Sequence, residues 1–73
     1  MTNSTPNKPQ LGDLVIKSTS METAMGIICL IDPSVTTPYF IEWTSGIMCG
    51  HTTAHPLDHV EQWRKNLHKK LDN

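Results

Sequence analysis

Cysteine is scarce in this chain: 73 residues contain two, Cys29 and Cys49, too few for the disulfide framework that many small secreted domains use in place of a large core. Both are expected as thiols in a reducing compartment, packed as small buried hydrophobes. Aromatic residues are equally sparse, with one Tyr, one Phe and two Trp, so any reading that uses them to stack a ligand takes them from the core. The formal net charge is −1 with His neutral, which gives no footprint for nucleic acid over the whole surface and leaves only local contacts. The first ten residues, MTNSTPNKPQ, hold no apolar run. On that reading neither a secretory signal nor a membrane span is expected, and the expected address is the cytoplasm. A chain this short makes one domain with no room for a substrate-sized cleft beside its core, and its stability rests on tight packing or a partner.

What is present reads as strands followed by one helix. Residues 1–10 are polar, carry Pro6 and Pro9, and predict a flexible tail, with a single domain over residues 11–73. Leu14, Val15 and Ile16 in LGDLVIK predict a first strand, and STSMETA a loop. MGIICLID predicts the strongest strand, with five consecutive apolar residues from Ile27 to Ile31 buried on both faces, ended by Asp32 and Pro33. YFIEW alternates, which puts Tyr39, Ile41 and Trp43 on the core face and Phe40 and Glu42 on the other. Gly46 in TSG suits a positive φ, so a tight hairpin into IMCGHT is expected, with Ile47, Cys49 and His51 on one face of that strand and Met48 on the other.

From Pro56 the period changes. Leu57, Val60, Trp63 or Arg64, Leu67 and Leu71 recur at steps of three and four, the stripe of an amphipathic helix over about 56–71. Asp58 and Glu61 early, and Lys65, His68, Lys69 and Lys70 late, complement its dipole.

The segments GDLV, MGIICLID and PYFIEWTSG, in that order, resemble SH3-like small barrels of the kind common among accessory proteins of tailed bacteriophages. The matching positions are Gly12, Asp13, Val15, Gly26, Ile27, Tyr39, Ile41, Trp43 and Gly46. The resemblance implies a strongly bent antiparallel sheet of about five short strands, closed or partly open. It implies no activity, because such folds host protein-binding, nucleic-acid-binding and structural roles alike. The departure is at the end of the chain, where the long helix stands in place of a last strand.

Candidate chemistry gathers between residues 46 and 63. Cys49, His51, His55 and His59 are residue types that bind zinc, but the spacing C-x-H-x3-H-x3-H is no regular zinc pattern, and Pro56 pushes His55 out of helical geometry. Cys49 with His51 or His55 and Asp58 supplies the residue types of a nucleophilic triad, but no pocket goes with them. No metal, cofactor or enzymatic activity is therefore expected. The expected function is a small binding module for a protein partner, using Phe40, Met48, Trp63 and Leu67 as surplus apolar surface, with a homo-oligomer open. The phage resemblance makes an accessory or host-modulating role in the host cytoplasm the corresponding guess. The alternative is nucleic-acid binding through Phe40 and the basic residues Arg64, Lys65, Lys69 and Lys70.

Overall fold

In the computed structural model, residues 8–71 are described, with side chains described as far as His68. Four strands, β1 (Leu14–Ser18), β2 (Thr23–Ile31), β3 (Tyr39–Trp43) and β4 (Thr52–His55), precede one helix, α1 (Leu57–Leu71). The strands form one antiparallel sheet in sequence order, open between β1 and β4. The architecture is the mainly β domain with a C-terminal helix that the sequence predicts, built on four strands rather than five.

The alternation read in YFIEW holds. Tyr39, Ile41 and Trp43 are buried, and with Val15, Ala24, Ile28 and Val60 they make one core cluster, against which Ile31 and Trp63 pack. Val60, fully buried, is the helix residue in that cluster, so α1, which packs chiefly along β1, reaches the core on the side of Tyr39, Ile41 and Trp43. Phe40 lies on the opposite face. Pro56 serves as the cap of the helix rather than its first residue, since its carbonyl accepts from Val60 N–H at 3.4 Å. The helix also seals the free edge of β1. Ile16 pairs with Met25 at a position where its own backbone groups point away from β2, and Asn66 Nδ2 donates to the Ile16 carbonyl at 2.9 Å.

Three expectations are corrected by backbone detail. The run Ile27–Ile31 is not buried on both faces: the register shifts between Ile28 and Leu30, so Ile28 is 1 % exposed and Leu30 51 %. A bulge adds one residue to a strand and reverses the faces beyond it. Cys29 is that residue, and it is exposed rather than buried, its thiol donating to the Phe40 carbonyl at 3.4 Å.

The second correction concerns IMCGHT, which is not a strand. Residues 44–50 form a string of turns fastened to β2 and to the residue before it: Thr44 N–H donates to the Met25 carbonyl, Met25 N–H to Ser45 Oγ, and Ile47 N–H to Glu22 Oε1. Gly46 takes the expected positive φ inside this loop. β4 begins only after Gly50, where Gly50 N–H donates to the Trp43 carbonyl and Trp43 N–H to the His51 carbonyl, so two residues oppose one. Gly12 and Asp13 oppose Ile28 in the same way before β1, with φ of 86° at Gly12 and 88° at Gly50. Each glycine is the third residue of a turn closed by a bond from the fourth to the first, Asp13 N–H to Gln10 O and His51 N–H to Met48 O. A side chain at such a φ is strained, which explains a glycine at both starts.

The third concerns the ends of the chain. Pro9 is buried and Gln10 belongs to the first turn, so order begins before Leu11. Residues 1–7 of the expected tail lie outside the described residues, as does the Leu71 side chain.

Candidate functional site

The residues singled out between 46 and 63 separate in space. Cys49 and His51 sit in the turn before β4, both exposed, and neither shares a strand face with the other. Among the described residues no three His, Cys, Asp or Glu side chains come together where they could hold a metal ion. Asp58 is exposed in the first turn of α1.

His55 and His59 do meet, at 5.9 Å between ring centroids, and both lie against Trp63, His55 edge-on at 4.7 Å and His59 at 5.5 Å. Trp63 in turn meets Trp43 at 5.5 Å. Behind the rings runs a hydrogen-bond chain. Trp43 Nε1–H donates to Thr53 Oγ1 at 2.7 Å, and the Thr53 hydroxyl is paired with His55 Nε2. With Thr53 Oγ1 already accepting from Trp43, its proton is available to an unprotonated His55 nitrogen. Burial, then the neighbouring His59, then Lys17 push the His55 pKa below its ordinary 6.5, in agreement with a neutral ring. This cluster packs α1 onto β3 and β4 and is a structural joint.

The other face of the sheet has a different character. Registered across the strands, Leu14, Ile27, Glu42 and Thr52 form one row, Ile16 and Met25 a second, and Leu30, Phe40 and Ala54 a third. Leu30 is 51 % exposed, Leu14 40 % and Met25 38 %; Ile27 and Phe40 are half-buried and Ile16 is buried. Alternation alone aims Leu14 and Met25 outward with Ile16, and the bulge adds Leu30. Glu42 is exposed and is the sole charged residue of the three rows.

The partner residues predicted from the sequence are thus divided. Phe40 belongs to the open face. Trp63 is half-buried on the covered face, Leu67 is half-buried on α1, and Met48 is at the 44–50 loop, not on a strand. Sequence reasoning placed Glu42 on the face of Phe40 but missed Leu14, Met25 and Leu30 as members of that surface. For the nucleic-acid alternative, Phe40 and the basic helix fall on opposite sides of the sheet. Arg64 Nε lies 3.6 Å from Asp13 Oδ2, Lys65 is exposed, and the Lys69 and Lys70 side chains lie outside the described residues. Among the described residues no helix is long and apolar enough to cross a membrane. No family model, curated protein or solved structure matches the chain.

Proposed function

We propose that the chain is a non-enzymatic protein-binding module that presents the outer sheet face around Phe40 to a partner. One observation carries the reading: α1 contributes Val60 to the inner-face core, and among the described residues Leu14, Met25 and Leu30 are exposed on the outer face that also holds the half-buried Phe40. Contiguous exposed apolar surface on so small a domain marks an interaction site, since solvating it costs free energy that a partner recovers. The two free, exposed thiols suit a reducing compartment, which supports action in the cytoplasm. If the likeness to small phage barrels reflects kinship, the partner is a host or viral protein and the role an accessory or host-modulating one.

The test is site-specific photo-crosslinking in the cells that make the protein. A photoreactive residue in place of Leu30 should give a discrete heavier adduct, and one in place of Glu61, exposed on α1, should give none. Absence of an adduct from position 30, or equal adducts from both positions, overturns the reading.

A further inference from the structure

Glu42 is out of keeping with its surroundings. Its cross-strand neighbours on the outer face are Ile27 on β2 and Thr52 on β4, and Phe40 precedes it by two on its own strand. Leu14 lies one strand further along the same row. A carboxylate exposed to water there costs nothing, but a partner that covers the apolar residues also covers Glu42. Removing an ionised carboxylate from water without compensation is costly enough to cancel the gain from burying the aliphatic side chains around it.

The geometry points to a partner that brings its own cation. We propose that the outer face takes a segment of another protein in which a Lys or Arg, flanked by apolar side chains, pairs with Glu42 while the flanking groups cover Leu14, Ile27, Leu30 and Phe40. The proposal rests on the protein-binding reading above and adds the chemistry of the partner. A second copy of this chain is a poorer fit. Twofold stacking of this face on itself sets Glu42 either near its own mate or against apolar side chains, and the face carries no cation to answer it. A phosphate backbone or an anionic membrane surface is repelled by the same carboxylate.

The experiment uses the full chain as bait for a random peptide display library, followed by affinity measurements on the enriched peptides. Binding is compared for the wild type, Leu30→Asp and Glu42→Gln, whose folding is checked by thermal melts. Peptides from the outer face should carry Lys or Arg between apolar residues, lose binding to Leu30→Asp, and bind Glu42→Gln about tenfold more weakly, as expected for a lost charge-assisted hydrogen bond. Replacing the peptide's Lys or Arg by norleucine should remove the difference between wild type and Glu42→Gln. Peptides that depend on Leu30 but bind Glu42→Gln equally leave the face in place and overturn the cation. If no enriched peptide responds to Leu30→Asp, the face itself is wrong. Concentration-dependent dimerisation of the wild type that Leu30→Asp abolishes makes the occupant a second copy and overturns the proposal as well.

Discussion

The imidazole of His55 stands edge-on to the indole of Trp63, with ring centroids 4.7 Å apart and planes at 77°. One residue ends the last strand and the other lies two turns into the helix, so this contact joins sheet and helix directly behind the Pro56 corner. Aromatic pairs in this geometry add stabilisation beyond the area they bury.

Replacing Trp63 by Ala should therefore loosen the joint. The side chain is half-buried against Trp43, His55 and His59. Its loss should cost about 2 kcal/mol, below the value for a fully buried Trp, and lower the melting temperature by roughly 10 °C in a domain of this size. Thermal unfolding followed by circular dichroism measures it; an unchanged melt would mean that Val60 and the attachments of Arg64 and Asn66 hold α1 without Trp63.

Acid should weaken the fold through His55. Its folded pKa lies below the ordinary 6.5 because of burial first, then His59 and Lys17. The unfolded chain then takes up a proton that the folded chain refuses, so this contribution is fully present above the unfolded pKa and is lost as pH falls from there through the folded pKa. Urea midpoints for the wild type and His55→Gln, measured at a series of pH values from neutral to mildly acidic, should converge as pH falls. Parallel curves would remove His55 as the source.

Gly26 is set by space rather than by backbone angle. A Cβ there would lie 2.5 Å from Ile41 Cγ2 and 2.9 Å from Trp43 Cε3, both buried in the core. Gly26→Ala should cost about 1–3 kcal/mol, the usual range for overpacking, with a red or blue shift of the Trp fluorescence as Trp43 moves. A neutral melt would show that the two side chains give way freely.

The bulge at Cys29 makes a paired prediction. Ile28→Ala should cost about 2–5 kcal/mol as a core truncation, whereas Leu30→Ser should stay within about 0.5 kcal/mol, as surface changes do. Unbroken alternation would place both side chains on the same face and make both substitutions costly. Chemical denaturation of the two variants separates the cases.

Much of the scaffold is legible in the residues. The two-residue period of YFIEW sorts core from surface correctly, and the change to a period near 3.6 after Pro56 marks α1 to within a residue of its start. The outer face was half-hidden for a physical reason. A continuous apolar run carries no period, so nothing in Ile27–Ile31 reveals that one residue is looped out and that Leu30 changes sides. The 44–50 loop misled because Ile47, Met48 and Cys49 are apolar enough to pass for a strand. Its true ending was signalled by an apolar residue, a glycine and a polar residue, Cys49-Gly50-His51, which repeats Leu11-Gly12-Asp13 at the other entry to the sheet. Whether Cys49 and His51 face His59 was an open question of strand geometry, and the segment that would have carried them is a loop.

The two rims of the sheet differ: along β1 Asn66 occupies the Ile16 carbonyl, whereas β4 is only four residues long between the Gly50 turn and the imino nitrogen of Pro56. Main-chain pairing, which joins strands with little regard to sequence, finds little purchase on either rim. If the protein-binding proposal holds, recognition falls mainly to side chains, and a few substitutions on a single face should change what is bound without disturbing how the chain folds.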